Sequence, residues 1–173
     1  DIAEFGAFIN IGPIDGMIHI SQTMDDFVSF SKDKALTGKE SKRVLKVGDV
    51  WVTPVPVNHT VPTTGFIVHD GATGLMYSGD TGPTKALWDS ARGLTGLRAV
   101  ILECAFPNRL APLAEIAKHM TPDLIRHELD KLPPNVPVWI FHIKPQFAEE
   151  ITEELGRLAD RVVLLEQDRT YSI

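Results

Sequence analysis

The chain is poor in the residues that several common chemistries require. It holds one cysteine, Cys104, in 173 residues. An intramolecular disulfide and a cysteine-rich zinc site are therefore both excluded. No apolar run is long enough to cross a bilayer as a helix. Cations are outnumbered, with 17 Lys and Arg against 23 Asp and Glu, for a net charge of −6. That balance excludes a strongly basic nucleic-acid binder but not a local patch. The opening "DIAEFGAF" has neither an initiator Met nor a basic segment, so it reads as a trimmed or internal start without a signal peptide. Internal repeats and low-complexity tracts are also lacking.

What is present is the composition of a globular chain, 43% hydrophobic and 23% charged. Residues 5–20, "FGAFINIGPIDGMIHI", read as two short strands around a Gly-Pro-Ile-Asp-Gly turn. Residues 21–44 are polar and irregular, a long connection by ordinary standards. "KVGD" then delivers the strand "VWVTPVPV", in which Pro54 and Pro56 favour an edge or an early end to ladder pairing. "TGFIVHDGATGLMYSGD" reads as a hairpin around Asp70-Gly71 and Gly74. Beyond it, helical patterns (Pro83 to Arg92, Leu110 to His119, Pro122 to Leu132, Pro145 to Leu158) alternate with the strands "RAVILE", "VPVWIFH" and "RVVLLE". Thr81 or Thr84 suits a cap for the first helix, and Thr121-Pro122 is a cap followed by proline at the first helical position. Alternation of this kind predicts an α/β layer with parallel strands. The strand Val50 to Val57 is expected to pair with Gly65 to Val68 of the hairpin.

The first third, "DIAEFGAFINIGPIDGMIHISQTM", resembles the S1-type OB-fold RNA-binding domain. Its continuation to "LKVGD" resembles that domain in the archaeal RNA polymerase stalk subunit. The resemblance implies aromatic stacking on single-stranded RNA, with Phe5, Phe8 and His19 as the contact residues. It covers only residues 1–50, so the five strands of an OB barrel are not all present.

The stretch from "VTPVPVNHTVPTTG" through "YSGDTGPT" and "LRAVILECAF" to "VPVWIFHIKPQF" resembles the metallo-β-lactamase superfamily. Within it the likeness is to class II cyclic-nucleotide phosphodiesterases and, more distantly, to transfer-RNA 3′-processing hydrolases. The resemblance implies a site for divalent metal, with His59, Asp80 and His142 as ligands and zinc or manganese as the ion. It also implies a motif that is absent: His-x-His-x-Asp-His occurs nowhere among the six histidines, His19, His59, His69, His119, His127 and His142. His119 and His127 are expected at the surface, and His69 in solvent beside its turn.

The fold class is therefore expected to be mixed α/β: half of a lactamase-like sandwich complemented by strands of a truncated S1/OB-fold fragment. Residues 1–49 form the S1-like part and residues 50–173 the C-terminal lactamase-like half, with one merged domain as the alternative. The combination reads as a recombined, artificial chain selected for folding, without efficient catalysis; its catalytic residues are unknown. A metal-dependent phosphodiesterase and a single-stranded RNA-binding module are the alternatives. The parent families are expected to be cytoplasmic, and the location of this chain is left open. Its half-sandwich exposes a sheet face, which predicts a homodimer.

Overall fold

The computed structural model describes residues 2–3, 6–10, 15–19, 45–94, 96–158 and 160–172. Three N-terminal strands form one antiparallel sheet in the order β1 (Ile2–Ala3), β2 (Gly6–Asn10) and β3 (Asp15–His19). Phe8 stands opposite Met17, and His19 opposite Gly6. These are the two strands expected from residues 5–20. Phe5 lies outside the described residues.

The remaining strands build a single seven-stranded mixed sheet. They are β4 (Leu45–Val47), β5 (Val50–Pro56), β6 (Thr64–His69), β7 (Gly74–Tyr77), β8 (Leu97–Glu103), β9 (Val138–Phe141) and β10 (Val162–Leu164). Their order is β10-β9-β8-β7-β6-β5-β4. The pairs from β4 to β7 are antiparallel and those from β7 to β10 are parallel. This split follows from chain length. Connections of two to seven residues join the antiparallel members, whereas parallel neighbours need crossover helices. Those helices are α1 (Lys85–Ala91), α2 (Ala111–Ala117), α3 (Pro122–Leu129) and α4 (Ala148–Gly156).

Local chemistry sets the turns. Between β4 and β5 the two-residue loop is Gly48-Asp49, and only Gly48 has positive φ, at 60°. Glycine at the first loop position is what a type II′ hairpin requires. Between β6 and β7, Asp70 Oδ1 accepts from the amides of Ala72 (2.8 Å) and Thr73 (2.7 Å). Those two bonds hold the exposed Asp70 carboxyl below the usual carboxylate range. Thr121 caps α3 by accepting from Leu124 N at 3.4 Å, with Pro122 at the first helical position, as expected. Helix α1 begins at Lys85 rather than Pro83. Its N-terminal flank is Thr84, which makes no side-chain cap.

Strand β5 pairs with β6 as expected, running from Trp51 opposite His69 to Pro56 opposite Thr64. On its other side β4 reaches only Val50 to Val52. Pro54 and Pro56 fall beyond that reach, where a proline costs no ladder bond to β4.

One face of the large sheet carries the core. Val55, Ile67, Met76, Val100, Leu102, Val138 and Ile140 are buried in one cluster with Leu87 and Trp88 of α1, Ile125 and Leu129 of α3, and Ile151 and Leu155 of α4. The opposite face carries a cross-strand row of Phe66, Tyr77, Ile101 and Trp139, aligned by register. All four are half-buried, and none belongs to that cluster. Burial and the nearby Asp80 charge both push the Tyr77 hydroxyl pKa up.

Candidate metal centre

Strands β5, β7, β8 and β9 all run in the same direction, so their C-terminal ends share one edge of the sheet. His59 follows β5, Asp80 follows β7, Glu103 ends β8 and His142 follows β9. The edge thereby gathers side chains that are distant in sequence, as open α/β sheets commonly do. A fifth residue, His119, arrives from the turn between α2 and α3.

Glu103 is at the centre. It is 0% exposed, so its carboxylate needs compensating partners. Its Oε1 accepts from His119 Nδ1 at 2.6 Å and from the Thr81 amide at 3.1 Å. Its own amide donates to Ser78 Oγ at 3.2 Å. The second oxygen, Oε2, is buried without a hydrogen-bond partner. Donation from His119 Nδ1 fixes that imidazole's tautomer and leaves its Nε2 with a lone pair.

His142 lies alongside. Its ring centroid is 5.4 Å from that of His119. Asp80 Oδ1 sits 3.0 Å from His142 Nδ1 but off the line a hydrogen bond needs, so this buried nitrogen also has no hydrogen-bond partner. Glu103, His119 and His142 each offer one ligand atom, and the three atoms lie within 4.8 Å of one another. His59 completes the cluster, its ring 4.9 Å from that of His119, and its Nδ1 donates to the Lys118 carbonyl at 3.1 Å.

Backbone strain frames the cluster. Lys118 (φ 57°) and His142 (φ 61°) both adopt left-handed geometry, and Gly79 beside Asp80 has φ 60°. Non-glycine residues in this region cost free energy that surrounding contacts must offset, and such residues concentrate at functional sites. Lys118 has a visible consequence. Its left-handed turn ends α2 at Ala117, short of the expected His119, and redirects the next residue inward.

The three residues expected from sequence are thus brought to one edge. Asp80 and His142 are adjacent, while His59 reaches the cluster through its ring but turns Nδ1 to a carbonyl. Two participants were not anticipated. His119, expected at the surface, is buried against Glu103 because of the turn at Lys118. Glu103 appeared only as the end of a strand; a carboxylate closing an otherwise apolar run was the available signal. His127 is exposed as expected, whereas His69 is half-buried because it sits in β6 opposite Trp51. Cys104 takes no part as a thiolate. Burial, reinforced by the Glu103 and Glu154 charges, pushes its pKa far up.

Comparison with known proteins finds different relatives for different parts of the chain. Residues 1–51 match the S1 RNA binding domain. A stretch of 49 residues is 39% identical to the DNA-directed RNA polymerase subunit Rpo7 of Saccharolobus shibatae and, equally, of Sulfolobus acidocaldarius. That stretch is 28% of this chain, and the match spans 27% of each of these relatives. Among solved structures, the metallo-beta-lactamase fold protein YhfI from Bacillus subtilis is similar over 76% of this chain and 56% of its own, with a TM-score of 0.60 and 15% identity. The metallo hydrolase Igni18 from Ignicoccus hospitalis is similar over 75% of this chain and 57% of its own (TM-score 0.54, 16% identity). For the short form of human tRNase Z the figures are 80% and 46% (TM-score 0.53, 16% identity). No helix among the described residues is long and apolar enough to cross a membrane. Residues 1–51 therefore resemble the S1 RNA-binding domain, and the rest of the chain has the metallo-β-lactamase fold.

Proposed function

We propose that this is a recombined chain whose lactamase-fold part keeps a site for one divalent cation. Glu103 Oε2, His119 and His142 would hold the ion, with Asp80 at its side. The observation that carries this reading is the convergence of three ligand atoms within 4.8 Å. Two of those residues also hold buried polar atoms without a partner, Glu103 Oε2 and His142 Nδ1. Such atoms are costly unless something satisfies them, and a hard or borderline divalent ion such as zinc or manganese suits an N/O donor set. When bound, such an ion lowers the pKa of a coordinated water. The chain's own residues divide the remaining work. Glu103 Oε1 orients His119, the Thr81 amide orients Glu103, and the Lys118 carbonyl fixes the His59 ring.

Efficient phosphodiester hydrolysis is not part of the proposal, because the sequence contains no His-x-His-x-Asp-His, the motif that would supply most ligands of one metal and part of those of another. Calorimetric titration with zinc or manganese tests the site. One ion per chain is expected, and equal affinity in His142→Ala would sink the idea.

The S1-like segment supports a second reading, weak contact with single-stranded RNA. Its basis is the match over residues 1–51 and the placement of Phe8 on β2. A labelled oligouridylate should bind with an affinity that falls with salt, and Phe8→Ala should weaken it roughly tenfold, about the loss of one base–aromatic stack. Fluorescence anisotropy measures both. Identical affinity in Phe8→Ala would remove the reading.

The division at residues 49 and 50 is proposed for the two parental parts, with β4 and β5 lying across the join in one sheet. A homodimer is proposed from the row Phe66, Tyr77, Ile101 and Trp139, which stays outside the core. Light scattering at micromolar concentration should give the mass of two chains. A monomer mass contradicts it.

A further inference from the structure

A concavity lies beside the end of β8 opposite Glu103. A cavity of about 380 Å³ opens beside the start of β8, the strand whose last residue is Glu103. Seven residues of strand separate the two ends, roughly 20 Å at the usual rise per residue.

Its walls are Trp88 and Ala91 of α1, Leu94, Leu97 of β8 and Leu132. Trp88 and Ala91 are both 4% exposed and belong to the core, so this floor is rigidly held. Cations stand at the mouth, Arg92 at the end of α1 and Lys131 after α3. The Lys131 ammonium lies 5.8 Å from the centre of the Trp88 ring. It also contacts Glu128 Oε2 at 2.6 Å, which uses one of its three donors. Arg92 donates to Asp89 at 3.1 Å, but Asp89 is already bonded to Lys85. Arg92 and Lys131 are the charged residues of the lining, and it contains no carboxylate.

We propose that this cavity is a binding site for a small anion with an apolar body, the body against the half-buried Leu94 and Leu97 and the charged head between Arg92 and Lys131. The volume falls in the range of small-molecule pockets, and an apolar lining with a few placed polar groups is their usual make-up. An aromatic carboxylate or sulfonate fits this combination better than a neutral ligand. A neutral ring gains from the walls alone, and a fully polar anion gains from the mouth alone.

The probe is 1-naphthalenesulfonate, titrated by calorimetry into the full chain, with naphthalene-1-methanol as the neutral counterpart. Saturable binding to one site is expected, with a dissociation constant on the order of 100 µM for a ligand of this size. Arg92→Glu reverses charge at an exposed position and should weaken the sulfonate roughly tenfold, consistent with loss of a charge-assisted contact, while leaving the alcohol unchanged. Ala91→Phe fills the cavity and should abolish both. If that variant fails to fold, Arg92→Glu still decides. Absence of saturable heat, equal affinity for sulfonate and alcohol, or an unaltered constant in Arg92→Glu would each overturn the proposal.

Discussion

Replacing Glu103 with glutamine is expected to remove stoichiometric zinc binding while leaving the chain folded. Glutamine keeps the shape, and its carbonyl oxygen can still accept from the Thr81 amide or His119 Nδ1. What it loses is the charge and the second acceptor oxygen, the one buried without a partner. A neutral amide is a poor ligand for a divalent ion, and losing a group that touches the ion costs affinity more heavily than the 10–100-fold typical of the groups that orient its ligands. His142→Ala should match Glu103→Gln in metal affinity. His59→Ala should be milder, because its Nδ1 is committed to the Lys118 carbonyl. Calorimetry with zinc orders the three variants. The reverse order, with His59 dominant, would favour the ligand set expected from sequence over the one assembled around Glu103.

Gly65→Ala should be the most damaging single methyl in the sheet. A Cβ at this position would stand 2.8 Å from the Tyr77 carbonyl oxygen, 2.9 Å from that of Ser78 and 3.1 Å from a Leu87 methyl. Two of these neighbours are backbone of the adjacent strand, which cannot rotate away. Their displacement would pull β7 out of register beside Asp80, coupling the fold to the site. Overpacking of a rigid core costs about 1–3 kcal/mol, and the backbone clash places this change at the upper end. Urea denaturation should show a lower midpoint with an unchanged slope. A midpoint within error of the parent would mean that β6 and β7 are looser than their register indicates.

Much of this architecture was legible in the sequence because it is written in local chemistry. Asp70-Gly71 announced the hairpin, Thr121-Pro122 announced α3, and the apolar runs announced β8 and β9. The pairing of β5 with β6 followed from a short connection between two extended segments. The site was half legible. Asp80 and His142 end their strands in polar loops where their side chains stand out from apolar runs. Glu103 and His119 were hidden for different reasons. Glu103 is the last residue of a buried strand, and sequence does not reveal whether such a residue turns into the protein or out of it. His119 depends on a left-handed turn at Lys118, which no glycine marks. Helical periodicity therefore carried the reading through His119, when the helix stops before it.

The proposed join between the two segments also has a physical explanation. Strand β4 lies within the S1-like match, which extends to Trp51, and it pairs with β5 at the edge of the lactamase-fold sheet. A strand edge accepts any chain of suitable register, because the ladder is made by backbone groups rather than by particular side chains. The glycine at position 48 and the alternation after it satisfy that requirement whichever family supplied them.

The central claim is that one divalent ion sits among Glu103, His119 and His142. Diffraction from zinc-soaked crystals above and below the zinc absorption edge tests it most directly. A single anomalous peak bounded by Glu103 Oε2, His119 and His142 is the predicted result. A peak bonded to other side chains, or none at saturating zinc, would contradict it.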